Sequence, residues 1–144
     1  MEMIELIPGN CIGDWCLGIN RDDLRTLVNA KFTSRDAEKD TYFEGFFQPA
    51  MDYFPELGLK VEYDAAFLST FMEVDQRTKL IFKGRKIFDL TIEEWSEILI
   101  ADFNIQSLDT GFSIPEIGLA FNAKAYNDHH QHTPIDLVSI FKTQ

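Results

Sequence analysis

Pro55-Glu56-Leu57-Gly58-Leu59 returns sixty positions later as Pro115-Glu116-Ile117-Gly118-Leu119. A second echo precedes it. Gly13-Asp14-Trp15-Cys16-Leu17-Gly18-Ile19-Asn20-Arg21-Asp22-Asp23-Leu24 aligns with Gly84-Arg85-Lys86-Ile87-Phe88-Asp89-Leu90-Thr91-Ile92-Glu93-Glu94-Trp95 at a constant offset of 71. Self-similarity at a fixed spacing constrains architecture before local propensity does, because each copy repeats one supersecondary unit. The halves fall at about 1–75 and 76–144 of a single 144-residue domain, a length able to bury its own core.

Each half reads in the same order. A short hairpin turns at Gly13-Asp14 or Gly84-Arg85, where Gly followed by another residue suits a type II′ turn. The flanking runs, Met3 to Pro8 and Lys79 to Lys83, are apolar enough for strands. A helix follows, with Asn20 and Thr91 as N-caps and Asp23 and Glu94 where a capping box places its carboxylate. Leu24, Leu27 and Val28 match Trp95, Ile98 and Leu99, so each helix carries one apolar stripe to lay on a sheet. The repeated pentapeptide reads as a strand entry, beyond which Leu59, Val61 and Tyr63 alternate with Lys60, Glu62 and Asp64 as in a half-buried strand, and Leu119 and Phe121 begin the same pattern. Leu68 to Glu73 and Leu137 to Lys142 close the halves. These patterns predict an α+β domain of two tandem βαβ-like repeats, giving a largely antiparallel sheet with two helices packed on it.

The halves differ at two insertions, and function specific to the chain is expected there rather than in shared scaffold. The first adds eleven residues between helix and strand. Within Thr33 to Asp52 it holds Asp36, Glu38, Asp40, Glu44 and Asp52, interleaved with Tyr42, Phe43, Phe46 and Phe47. Acid beside exposed aromatic side chains is what a patch aimed at a basic protein needs. The same pattern also suits phenylalanines that cover an end of the core while the acids stay in water. The second insertion, Tyr126 to Pro134, adds nine residues and contains Asp128, His129, His130 and His132. It reads as a polar hairpin loop and a secondary partner-binding candidate; a transition metal is the competing use of its imidazoles.

The net charge is −11, yet residues 77–86 carry five cations and no anion. The acidic remainder repels nucleic acid and attracts basic proteins, or serves solubility alone. The cationic run reads as decoration of the hairpin between the halves. At 45% hydrophobic residues with thirteen Phe, the chain is a packed globule. It has no apolar run long enough for a membrane span. Its acidic start, Met1-Glu2-Met3-Ile4-Glu5, is unlike a signal peptide, so a cytoplasmic location is expected. Cys11 and Cys16 face each other if Ile12 pairs with Trp15, within reach of a disulfide; in a cytosolic chain they stay reduced as small semi-buried thiols.

Catalytic signatures are missing. There is no Gly-rich phosphate loop and no glycine-flanked Ser, and all three His fall in one loop. Asp22-Asp23 and Glu93-Glu94 sit in first helical turns, where the helix dipole accounts for them. The residues assign no catalytic group, metal or cofactor, and the chain is expected not to be an enzyme.

The opening Ile4-Glu5-Leu6-Ile7-Pro8-Gly9, then Ile12-Gly13, then Leu17-Gly18 before a helix with an acidic first turn, together with the later Glu56-Leu57-Gly58-Leu59, resembles small acidic bacterial proteins. Some of these are immunity proteins of contact-dependent growth-inhibition and polymorphic toxin systems. The resemblance implies a non-catalytic cytosolic inhibitor that binds a basic toxin domain such as a nuclease. It carries over no binding residues, because its fixed positions are turn glycines and core residues. A scaffold or small-ligand module with an apolar groove is the alternative.

Overall fold

The computed structural model describes residues 2–39, 47–124 and 133–143. In chain order the elements are β1 (Ile4–Ile7), β2 (Cys11–Ile12), β3 (Trp15–Cys16), α1 (Arg21–Val28), β4 (Thr33–Arg35), β5 (Glu38–Lys39), β6 (Phe47–Gln48), β7 (Ala50–Phe54), β8 (Leu59–Tyr63) and β9 (Ser69–Val74). Then follow β10 (Leu80–Phe82), β11 (Arg85–Lys86), a 3-10 turn (Ile87–Asp89), α2 (Ile92–Leu99), β12 (Gln106–Leu108), β13 (Gly111–Ile114), β14 (Leu119–Asn122) and β15 (Leu137–Phe141).

The repeated pentapeptide is a hairpin turn rather than a strand entry. Phe54 pairs with Leu59 and Ile114 with Leu119, which leaves four-residue loops at 55–58 and 115–118. Gly58 and Gly118 close these loops at φ 58° and 68°, where a side chain is strained. A Cβ on Gly58 would run into the Asp75 carboxylate, and one on Gly118 into the Phe141 carbonyl. Both glycine carbonyls accept a third strand's N–H, from Asp75 and Phe141 respectively, at 3.2 Å. One motif therefore fixes a turn and its next neighbour, which is why it occurs once per meander.

The largest sheet runs β12-β13-β14-β15-β9-β8-β7-β4. Its order is palindromic about the β9–β15 pair, where Met72 faces Ile140 and Phe71 faces Phe141. A five-stranded sheet runs β11-β10-β1-β2-β3, and β5 pairs with β6 alone. β1 and β10 are parallel, and the other named ladders are antiparallel. The class is α+β with two helices and mostly antiparallel sheets. The strands before and after each helix lie in different sheets, so neither half closes a βαβ unit within one sheet.

The β2–β3 turn falls at Gly13-Asp14, as the sequence implies. The second hairpin turns one residue earlier than expected, at Lys83-Gly84, because Phe82 pairs with Arg85. Lys83 and Gly84 take φ of 51° and 73°, the pair of positive values a type I′ turn needs. Keeping Leu80 and Phe82 buried on one face sets that register. Cys11 and Cys16 are joined by a disulfide, their Cα atoms 4.0 Å apart, where free thiols were expected. The two-residue turn places them directly across the hairpin.

Thr91 and Glu94 form the full capping box on α2. At α1, Asn20 Oδ1 accepts from the Asp22 N–H instead, since the Asp23 side chain is a methylene shorter than Glu. One core gathers both sheets and both helices. Trp95 of α2 lies between Phe82 of one sheet and Phe121 of the other, with ring centroids 5.7 and 5.8 Å away. Its indole N–H donates to the Ile87 carbonyl at 2.9 Å. Leu24 and Val28 of α1 are buried, but Leu27 is half in water at 50% exposure.

Candidate functional site

Among the described residues, a cavity opens at the end of α1. It holds about 560 Å3. Three pieces of backbone build it: the start of β1, the turn between β2 and β3, and the turn between β7 and β8, all meeting the last residues of α1. Ile4, Trp15, Val28 and Leu57 form an apolar floor, and Glu2, Glu5, Asp14 and Glu56 stand around it. Those four carboxylates are on exposed residues, and among the described residues no lining side chain is cationic. The helix delivers its negative end here, since α1 stops at Val28 and Asn29 turns into the left-handed region at φ 51°. An apolar floor under a carboxylate rim suits a cationic side chain that brings apolar neighbours: the floor removes carbon from water while the rim meets the charge.

Asp52 does not belong to an acidic surface, contrary to expectation. It is fully buried. Arg25 Nε and Nη2 each donate to its carboxylate at 2.8 Å, and the Tyr63 hydroxyl donates to Oδ2 at 2.8 Å. Asp52 lies on the inward face of β7 between Ala50 and Phe54, so its partners are intramolecular. The bond to Asp52 pushes the Arg25 guanidinium above its ordinary value. Burial first, and then the hydrogen bond to Asp52, push the Tyr63 hydroxyl far upward. Both groups keep their protons, so this is a fixed clamp between α1 and the sheet.

Of the other insertion residues, Asp36 and Glu38 are exposed beside β5. Asp40, Tyr42, Phe43, Glu44 and Phe46 lie outside the described residues, as do His129, His130 and His132. The second insertion's last residues are anchored on α2: Glu93 accepts from the Thr133 N–H and hydroxyl, both at 2.9 Å. Burial alone would raise the Glu93 carboxyl. The N–H bonds of Glu93 and Thr133, and the hydroxyls of Thr133 and Thr91, outweigh it and hold the carboxyl below its usual range. Among the described residues no three His, Cys, Asp or Glu side chains converge to hold a metal. Among them too, no helix is long and apolar enough to cross a membrane.

Sequence reading missed Glu2, Glu5, Asp14, Trp15 and Glu56 because it assigned the repeated turns to scaffold. No family model matches the chain, and no curated protein or solved structure matches it.

Proposed function

We propose that the chain is a non-catalytic cytoplasmic immunity protein that binds and neutralises a basic toxin domain, a nuclease, of a contact-dependent growth-inhibition or related system. The observation that carries this reading is the cleft at the end of α1, with four acidic residues around an apolar floor and no lining cation among the described residues. A nuclease must present cations to phosphate, and such a surface is complementary to this rim. Asp36 and Glu38, the exposed acids of the first insertion among the described residues, form the second candidate contact. The palindromic strand order supports the accompanying reading of the halves as a duplicated unit.

The Cys11–Cys16 disulfide bears on location, because cytoplasmic thiols are kept reduced. Backbone bonds that cross the same hairpin, such as the Leu17 N–H to the Asn10 carbonyl at 2.7 Å, hold the cleft wall in either redox state.

The test is calorimetric titration of the cognate toxin domain at several salt concentrations, with a parallel growth-protection assay. Binding should weaken steeply with salt, and E5K/D14K should lose more affinity than D36K/E38K. Unchanged affinity and protection in both variants would overturn the reading. The competing small-ligand reading is favoured by the cleft's apolar floor. Uncharged apolar ligands that raise the melting temperature would support it instead.

A further inference from the structure

The acidic cleft has a neighbour of opposite sign. A second cavity of about 340 Å3 is lined by Lys79, Lys86, Leu80, Phe88, Asp89 and Met3. Met3, 39% exposed, lines both cavities. The five-stranded sheet explains this adjacency. β1 lies between the β2–β3 hairpin, which carries Asp14, and the β10–β11 hairpin, which carries Lys86. Ile4 faces Leu80 across the parallel pair, so the start of β1 divides the two cavities. Lys79 and Lys86 are exposed and make no ion pair among the described residues. Their neighbours Arg77 and Lys83 are held by Asp75 and Asp102.

We propose that these cavities form one bipolar docking surface. The partner protein lays a cationic, apolar-flanked segment in the Glu2/Glu5/Asp14/Glu56 cleft, an apolar side chain on Met3, and one of its own carboxylates against Lys79 and Lys86. This rests on the cleft being a site for a basic partner. It adds orientation. A uniformly acidic cleft accepts a cation in many poses, whereas adjacent patches of opposite sign favour one pose and bring like charges together in the reversed one. Asp89 offsets part of the lysine charge, so the second contact acts on selectivity more than on total affinity. Residues 77–86 thereby acquire a role as the specificity half of the surface.

The experiment is an amide-resolved NMR titration of the full chain with synthetic peptides at low salt. One peptide is Arg-Leu-Arg, blocked at both ends. The others carry Glu-Glu joined to that tripeptide through one to four glycines. Net-charge attraction to an acidic chain makes the acidic peptides weaker at every spacer length. Bipolar docking makes at least one of them tighter, by about threefold, with new shifts at Lys79, Lys86 and Phe88 besides those at Gly13 and the Trp15 indole. K79E/K86E, both on exposed positions, should abolish that gain and leave Arg-Leu-Arg binding in place. If every acidic peptide binds more weakly than Arg-Leu-Arg, the bipolar surface is wrong and the cleft reading stands. If no peptide shifts Gly13 or Trp15, the cleft reading itself fails. The comparison among peptides on the unmodified chain decides the matter even if K79E/K86E fails to fold.

Discussion

The ends of α1 and α2 are built from corresponding parts, a hairpin turn, a helix end and a Pro-Glu-[Leu/Ile]-Gly turn, yet one is open and the other is partly filled. After α1, Asn29 turns left-handed at φ 51° and leads the chain away into β4, and a cavity of about 560 Å3 remains. After α2, Ile100 stays right-handed at φ −63°. The chain then curls through a further turn in which the Asp102 and Phe103 N–H groups donate to the Leu99 carbonyl. That turn brings Asp102 to within 3.8 Å of Lys83 and Phe103 under the same ammonium, while Glu116 accepts from the Asn104 N–H at 2.8 Å. What is left is a notch of about 300 Å3 bordered by Asn104, Ile105, Gln106, Pro115 and Glu116. How the chain leaves each helix decides how much room the shared scaffold leaves at that end. Glu56 lines the larger cavity, whereas its counterpart Glu116 accepts from a backbone N–H.

The helices are also pinned by different physics. α2 is held by a buried indole between two aromatic rings, and α1 by a charged clamp on Asp52. W95A should be the most damaging change, costing about 3–5 kcal/mol in denaturant unfolding, because it empties the largest fully buried side chain in the core. R25A leaves Asp52 buried without its counter-ion and should cost about 3 kcal/mol. R25M/D52L/Y63F, which removes both charges and the hydroxyl that donates to Asp52, should recover most of that loss. If W95A and R25A both cost less than about 1 kcal/mol, these contacts do not hold the helices. Next comes the hairpin clasp: C11S/C16S should lower stability by about 2 kcal/mol, the loop-closure contribution of so short a ring. Reducing agent should have the same effect on the unmodified chain and none on the variant.

A smaller effect separates the helices by pH. Glu93 has a folded value below its unfolded one, so its contribution is fully present above the unfolded value, near 4.5. That contribution is lost as pH falls through the lower, folded value. E93Q should therefore lose about 1 kcal/mol at neutral pH and show a flatter acid-stability profile below about pH 5. A profile parallel to the unmodified chain would remove Glu93 from the account. Arg25 shows the opposite sign: the hydrogen bond to Asp52 raises it above the ordinary arginine range, and its contribution disappears only at very high pH. The α1 guanidinium thus stays charged throughout the working range.

Much of this architecture is legible in the sequence. Caps, apolar stripes and hairpin glycines are local signals, and they place both helices and the Gly13-Asp14 turn. The repeated pentapeptide marks its meanders correctly, though as a turn instead of a strand entry. Sheet membership is not legible, because pairing β1 with β10 joins residues more than seventy apart. Asp52 looked like a surface acid because it follows an acidic stretch. Its partners Arg25 and Tyr63 come from other elements, and only its inward parity on β7 could have separated it from Asp36 and Glu38. The cleft was hidden for a related reason: its carboxylates come from three separate segments, two of them in repeated turns. The aligned copies gave no charge clue either, because Asp14 is a turn residue whereas Arg85, its partner at the fixed offset, opens β11.

The most direct test compares two variants that raise the net charge by the same amount in different places, E5Q/D14N in the cleft and N104K/Q106K at the filled notch. Affinity for the cognate toxin domain is measured by calorimetry at one salt concentration. The account predicts a loss of about tenfold or more for E5Q/D14N and no more than about twofold for N104K/Q106K, because long-range attraction changes equally and only the first alters the contact. Equal losses would mean that net charge alone drives binding, and would contradict the assignment of function to the cleft at the end of α1.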